Sequence, residues 1–451
     1  MSSIPFGTSS YERARGDLPS LPVINMFIEE SPTEKNGYVL QSRPGLEDCN
    51  QTLGGGPVRQ LFRRDLVLDT SLFGVSGSTL YRDGVAVGAI DGAGPVSMAG
   101  YGNFLFVNAG GRLWGYNGTT LAAIAFPDDA LVSRIVIAGS RLVAIRADTG
   151  QFYWSDPLGT TIDALAFATA ENQPDRLLDM LFMNGILLLF GSETVEYWPL
   201  GSSGDLPFQV LQGQVIQKGV RAPGCAVSIG STFAWVTSEN RICLANEENI
   251  ISNNGLQARI EKSATCALWV FALEGNEYIA LRIDDETQIY NVQSKRWSEM
   301  RSYGQANWIP QCFADGVFGS AIDGRTMRWS DGWEDLGGVM ERRIRAGMPI
   351  DSGGVSIANA SIRTNLGQTT YLVGPYADPV IEMHMSRDNG KTWGDWKPRA
   401  LGIQGEYKQR VQWRALGMAS RPSLLLEFRV TDPVSIRISD VSVNDPTGGR
   451  T

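Results

Sequence analysis

Apolar and polar residues alternate along this chain in short runs and almost nowhere with a helical period. The best helical stretch, Leu177 to Met183, is only seven residues long. One unit recurs in place of helices: an apolar run, a turn, a second run carrying an aromatic or aliphatic pair, and another turn. It reads Leu72-Phe73-Gly74-Val75 with Thr79-Leu80-Tyr81, then Phe104-Leu105-Phe106-Val107 with Leu113-Trp114-Gly115-Tyr116. It returns at Leu142 to Ile145 with Phe152-Tyr153-Trp154, at Ile186 to Phe190 with Val195 to Trp198, and at Phe233 to Val236 with Ile242-Cys243-Leu244. The last two copies are Tyr278 to Leu281 with Gln288-Ile289-Tyr290, and Phe318 to Ala321 with Met327-Arg328-Trp329.

Marking one apolar residue of each second run, at 80, 113, 152, 195, 242, 289 and 327, gives spacings of 33 to 47 residues. That is the period of a β-propeller, whose blades are four-stranded sheets of about 40–50 residues. One such sheet cannot bury both faces alone. A closed circle of sheets packs face on face and leaves only short edges. Asp83-Gly84, Asn108-Ala109-Gly110-Gly111, Asp148-Thr149-Gly150 and Asp323-Gly324 supply the positive φ that tight hairpins need. The expectation is an all-β chain with a propeller of about seven blades, six being the alternative count. A pair of β-sandwiches is the competing architecture.

Near residue 340 the pattern changes. Gly337-Gly338 and the run Arg342-Arg343-Ile344-Arg345 open a section whose strands Leu426 to Val430 and Val434 to Ile438 alternate strictly between apolar and polar faces. That pattern predicts a C-terminal antiparallel β-sandwich. The expected division is residues 1–55 as an N-terminal arm or ring-closing segment, 56–340 as the propeller and 341–451 as the sandwich.

Composition narrows the function. The chain has 451 residues, 39 Lys and Arg against 48 Asp and Glu, and a formal charge of −9. An acidic chain is a poor match for a nucleic-acid binder held by phosphate contacts. With one histidine, His384, a Ser-His-Asp triad or a histidine metal site would have to use that residue. Five scattered cysteines without a CxxC spacing favour reduced thiols and synthesis in the cytoplasm. The first twenty residues lack the apolar core of a signal peptide. The longest apolar run, Cys266 to Leu273, is too short to span a bilayer. Arginine outnumbers lysine by 32 to 7, which favours bidentate ion pairs at interfaces.

Each motif carries a bland reading beside its functional one. Ser386-Arg387-Asp388-Asn389-Gly390-Lys391-Thr392-Trp393 fits S-x-D-x-G-x-x-W, the Asp box of sialidase-type propellers. It motivates an alternative function, a carbohydrate-active propeller acting on host surface glycans. As structure it is a hairpin turn, single-copy and outside the propeller section. A glycosidase also needs two placed carboxylates, and Asp284, Asp285 and Glu286 fall together in a solvated turn. His384 sits in an alternating strand and reads as a packed or surface residue. Gly54-Gly55-Gly56 is followed by Pro57 and lacks the Lys-Ser/Thr pair of a phosphate loop. Arg15-Gly16-Asp17 is a chance adhesion-like tripeptide, and three Asn-x-Ser/Thr sequons mean nothing without secretion. Arg342, Arg343 and Arg345 read as a solvated strand face, the other reading being pairs with a neighbouring subunit. No catalytic, cofactor-binding or metal-ligating residue is assigned.

Four stretches resemble the packaged-DNA stabilisation family of short-tailed bacteriophages. Leu21-Pro22-Val23-Ile24-Asn25-Met26 with Ser42-Arg43-Pro44-Gly45-Leu46 is similar to the family's opening. Leu80-Tyr81-Arg82-Asp83-Gly84 through Gly94-Pro95-Val96-Ser97-Met98-Ala99 is similar to one of its blades. Gln173-Pro174-Asp175 with Phe190 to Trp198, and then Gln217-Lys218-Gly219, resemble segments that follow in the same order. The C-terminal third is similar to the ending of many such proteins.

The resemblance implies a structural virion protein of the tail, made in the bacterial cytoplasm. It implies a ring similar to a homohexamer, forming the hub or nozzle below the dodecameric portal-adaptor (the head-to-tail connector). That ring would retain packaged DNA, pass it during ejection without sequence-specific binding, and carry tail fibres, tailspikes or a tail needle or plug. Neither a cofactor nor a small-molecule substrate is implied. The net acidity gives one physical expectation, that an acidic lumen lets DNA phosphates slide without sticking.

Overall fold

The computed structural model describes residues 2–7, 9–10, 20–34, 36–92, 94–170, 175–201, 207–284, 286–351 and 353–444. Among them seven four-stranded antiparallel units follow one another. Blades 1 to 6 span 58–89, 96–124, 132–169, 177–216, 226–250 and 266–300. Blade 7 takes three strands from 310–329 and its fourth from Leu46–Thr52, which pairs antiparallel with Arg325–Trp329. The first strand of each blade lies beside the first strand of the next all the way round, including from blade 7 back to blade 1. The propeller is therefore closed, by a strand that precedes blade 1 in sequence.

The seven hairpins read from the sequence are the second and third strands of the seven blades. Their second strands are nearly continuous buried runs, as at Phe104–Ala109 and Ile186–Gly191. Both faces of each sheet are covered by neighbouring blades, so apolar clusters fill the seams. Phe73, Leu80 and Leu105 lie between blades 1 and 2, and Phe106, Ile135 and Tyr153 between 2 and 3. Leu53, Val58, Leu61, Leu72 and Cys312 fill the closing seam between blades 7 and 1. Leu177–Met183, the best helical candidate, is the first strand of blade 4. A seven-residue run that is apolar except at Asp179 suits a strand buried on both faces as well as it suits a helix turn. Among the described residues the one α-helix is Asn254–Lys262, between blades 5 and 6, with the Asn253 side chain accepting the Leu256 N–H at 2.8 Å.

The C-terminal section supplies most strands of both sheets of a sandwich that residues from the N-terminus complete. One sheet orders the strands Met26–Glu30, Tyr38–Ser42, Arg437–Val443, Gly354–Thr364 and Val411–Ser420. The facing layer orders Val23–Ile24, Arg342–Pro349, Ser423–Val430, Val380–Ser386 and Lys397–Ala400. Their shared core joins Phe6, Val23, Met26 and Ile28 to Trp413, Leu426 and Phe428. Val23–Ile24 also runs parallel to the last strand of blade 6, with Ile24 opposite Glu299, so one nine-stranded sheet continues from propeller into sandwich.

Residues 1–55 thus hold sandwich strands at 23–42 and the ring-closing strand at 46–52. A chain beginning at residue 53 is expected to lose cooperative unfolding. It forfeits the burial of Val23, Met26, Ile28, Leu40 and Leu46, each worth about 1.5–3 kcal/mol. Together these match the whole stability of an ordinary protein, about 5–15 kcal/mol. Calorimetry and limited proteolysis of the truncated chain check this, and a sharp, native-like melt contradicts it.

Candidate functional site

Two halves of one sequence motif meet where the propeller joins the sandwich. Asn25 follows the short strand Val23–Ile24 and has φ +56°. Its side-chain oxygen accepts from Arg43 Nε and from the Arg301 N–H, both at 3.0 Å, while its Nδ2 donates to the Glu341 carbonyl at 2.8 Å. The Arg43 guanidinium is wholly buried and forks onto Asp335, with Nη1 to Oδ1 at 2.8 Å and Nη2 to Oδ2 at 2.5 Å. It also donates to the carbonyls of Pro44 and Arg301. Blade 6, blade 7 and the sandwich edge are tied by this one side chain. Gly45 lets the chain pass, since a Cβ there would lie 2.0 Å from the Glu334 carbonyl oxygen.

Arg342 lies beside this knot and is the correction to the reading of Arg342, Arg343 and Arg345 as a solvated face. It is buried and donates to the carbonyls of Val430, Val434 and Asp432. Burial, aided by the neighbouring Arg43 charge, pushes its pKa down to about 9. Arg343 pairs with Glu341 at 2.5 Å and Arg345 with Glu427 at 2.6 Å, so both partners lie within the chain.

A second convergence lies between blades 4 and 5. Asp175 accepts the N–H groups of Glu193 and Thr194 at 2.9 and 3.0 Å and fixes the hairpin of blade 4. Gly219 crosses that hairpin closely, and a Cβ there would lie 2.2 Å from the Ser192 carbonyl carbon. Gln173 and Pro174 of the same motif lie outside the described residues. Nearby, fully buried Asp179 accepts from the N–H groups of Met180, Gly224 and Ala226 and pairs with Arg134 at 3.0 Å. This carboxylate joins the first strands of blades 3, 4 and 5.

Ser386 to Trp393 forms the turn after strand Val380–Ser386. Asp388 accepts from Ser386 Oγ at 2.7 Å, from the Thr392 N–H at 2.9 Å and from Thr392 Oγ1 at 2.6 Å. Gly390 takes φ +85°, and Trp393 Nε1 donates to the Gly390 carbonyl. These bonds hold the carboxyl of Asp388 well below the usual carboxylate range. The motif is a turn whose acid is occupied by its own loop. Asp284 is likewise engaged with the Ala264 and Thr265 amides, and Glu286 with Arg259 at 3.0 Å. Asp285 and Arg15-Gly16-Asp17 lie outside the described residues. Gly54 to Gly56 belong to the link that carries the closing strand into blade 1. Among the described residues no three His, Cys, Asp or Glu side chains gather as a metal site.

His384 is the centre of a stack that the sequence did not announce. Trp393 lies on one side at 4.3 Å and Trp396 on the other at 3.6 Å, both nearly parallel to the imidazole. Arg345 covers Trp393 and Arg429 covers Trp396. His384 Nε2 meets Glu427 Oε1 at 3.1 Å, and Glu427 also receives Arg345 and, at 3.5 Å, Arg343. Burial holds the imidazole below its ordinary range, Glu427 pulls the other way, and the Arg343 charge adds to the depression.

The unfolded histidine therefore takes its proton near pH 6.5, before the folded one does. Stability from this site is full above about pH 6.5 and is lost as the pH falls toward the folded value. His384→Gln is expected to flatten that part of the profile, measured as melting temperature from pH 7.5 to 5.5. An unchanged slope contradicts the assignment.

The propeller rim is uneven. The outermost strands of blades 1, 2 and 3 are Val85–Ala89, Leu121–Ile124 and Ile162–Thr169, whose sequences VAVGA, LAAI and IDALAFAT contain one charge, Asp163. Val85 is 70% exposed and Leu165 86%. Leu121 approaches Gly88, and Ile124 and Ile162 pack on one cluster, so the three strands form a continuous band. In contrast, Asn246–Ile250 of blade 5 and Leu46–Thr52 of blade 7 carry two acids each, and the blade 6 edge is covered by Val23–Ile24.

Comparison with known proteins found two family matches. The family described as bacteriophage P22 Gp10, β-propeller, matches residues 2–313, and the one described as bacteriophage P22 Gp10, β-sandwich, matches 348–445. Among curated proteins, the tail hub protein gp10 of Salmonella phage P22 is 23% identical over 313 residues, covering 61% of this chain. The match spans 63% of that relative's own length. Among solved structures, YCF48 from Cyanidioschyzon merolae is 9% identical at a TM-score of 0.42, over 63% of this chain and 98% of that one. Raptor from Chaetomium thermophilum is 8% identical at 0.42, over 64% of this chain and 29% of that one.

Proposed function

The chain belongs to the bacteriophage P22 Gp10 family of propeller-and-sandwich proteins, and on that premise we propose that it is a structural part of a phage tail hub rather than an enzyme. The observation that carries this reading is the family match across both halves of the chain, in line with a relative that is itself a tail hub protein. The chain works as two units, the propeller closed by the strand at 46–52 and the sandwich built from strands within 23–42 and 342–443, locked together by the Arg43 knot. It is made in the bacterial cytoplasm and resides in the virion tail. It assembles as a homohexameric ring below the portal-adaptor, retains packaged DNA, and offers attachment to fibres, spikes or a needle. Its charge of −9 leaves little to hold phosphates as DNA leaves.

The nearly charge-free band on blades 1 to 3 supports self-assembly. Large exposed apolar strips and open strand edges mark contact surfaces. Copies of an acidic chain also approach one another at least cost where they carry no charge. Leu165→Asp with Val85→Asp is expected to leave the melting temperature unchanged, both side chains being largely exposed, and to convert the assembly to monomer in analytical ultracentrifugation. Wild-type protein that stays monomeric at micromolar concentration, or a variant that assembles like wild type, contradicts the reading. The carbohydrate-active alternative has no support left in its motif, because Asp388 is spent on its own turn.

A further inference from the structure

Two of the five cysteines meet across the seam between blades 5 and 6. Cys225 immediately precedes the first strand of blade 5, and Cys266 opens the first strand of blade 6. The Cys225 thiol is fully buried and donates to the Cys266 carbonyl at 3.2 Å. The two segments are directly hydrogen-bonded beside the pair, Leu268 N–H to the Gly224 carbonyl at 2.9 Å. The Cys225 sulfur thus lies against the Cys266 main chain, and the two thiols are close enough to share a hydrogen bond, the contact from which a disulfide closes once the Cα atoms stand about 4.4–6.8 Å apart. Both residues are free thiols, and Cys266 is partly exposed.

We propose that Cys225 and Cys266 form a thiol–disulfide exchange site that takes a small disulfide such as oxidised glutathione at Cys266 and closes to an internal bond between blades 5 and 6. The two thiols are unequal in the way the chemistry needs. Cys266 is the attacking group, since the Cys225 thiol donates toward it and the Arg221 charge is near, both of which lower its pKa. Cys225 is the resolving group, with a thiol raised first by that hydrogen bond and then by burial. The remaining cysteines are poor competitors. Burial pushes Cys243 up to about 11 and Cys312 up to about 12, and raises half-buried Cys49.

The steps balance. The Cys266 thiolate attacks one sulfur of oxidised glutathione, the S–S bond breaks, and the leaving glutathione thiolate takes up a proton. Cys225 then attacks the Cys266 sulfur of the mixed disulfide and displaces the second glutathione, which takes the second proton. Two protein thiols lose two electrons, and one oxidised glutathione becomes two reduced ones. The product staples a seam that in the reduced chain is held by apolar packing and the Leu268 to Gly224 bond.

The test is peptide mapping of the folded, full-length protein after incubation with oxidised glutathione. The expected result is one disulfide, Cys225 to Cys266, with Cys49, Cys243 and Cys312 still free, and a melting temperature raised by a few degrees. Cys225→Ser is expected to accumulate one glutathione on Cys266, and Cys266→Ser to take none at Cys225. Limiting iodoacetamide on wild-type protein needs no variant to fold, and is expected to label Cys266 before the other four. Five thiols that remain free in oxidised glutathione, or labelling in which Cys266 is not first, overturns the proposal.

Discussion

Replacing Arg43 with alanine is expected to cost about 3–5 kcal/mol, the usual penalty for breaking a buried ion pair by removing one partner. The loss comes from what stays behind. Asp335 retains only 4% side-chain exposure and would keep its charge without the guanidinium fork. Asn25 Oδ1 loses a donor, and the carbonyls of Pro44 and Arg301 lose theirs. Arg43→Lys is expected to recover little, because an ammonium cannot span both carboxylate oxygens and Asn25 together. Replacing both partners, as Arg43→Met with Asp335→Leu, is expected to recover part of the loss, since no charge is then stranded. Urea unfolding of the four proteins measures this. Equal stability of Arg43→Ala and wild type contradicts the role given to the knot.

Asp179→Ala is expected to be nearly as severe, again about 3–5 kcal/mol. The substitution removes the acceptor of the Met180, Gly224 and Ala226 N–H groups at a fully buried position and leaves Arg134 without the Asp179 carboxylate. The effect has a location as well as a size. Hydrogen exchange is expected to speed up first at Met180, Gly224 and Ala226, and to remain slow at the Arg43 knot. Uniform acceleration across the propeller contradicts the local reading.

Both sites show where sequence reasoning stops. The hairpins were legible because the second and third strands of each blade pair locally and bury alternating or continuous apolar runs, as at Phe104–Ala109 against Arg112–Tyr116. The strand that completes blade 7 could be placed no more closely than an arm or ring-closing segment within residues 1–55, because Leu46–Thr52 pairs with residues nearly 280 positions away. Asn25, Arg43 and Asp335 have no local pattern in common. Their motif resemblance marked the first two, while only the folded chain supplies Asp335.

His384 was read as a packed or surface residue; its neighbours come from two other strands and the turn segment after its own, so neither Glu427 nor the two tryptophans could be paired with it in advance. The helix at Asn254–Lys262 did carry a signal, an Asn cap followed by Leu256 and Ile260 one turn apart, in a segment too short to stand out. Arg342 was misread because a run of arginines looks solvated until a sandwich covers one face of the strand.

A closed propeller, bolted to its sandwich through the N-terminal strands, makes one rigid building block for the proposed ring. Electron cryomicroscopy of the purified, assembled protein tests it most directly. The expected image is a closed oligomeric ring in which every copy shows seven blades, holds its sandwich at one fixed angle, and buries the outer strands of blades 1 to 3 against a neighbour. Isolated copies with that band bare, or sandwiches at variable angles to their propellers, would contradict it.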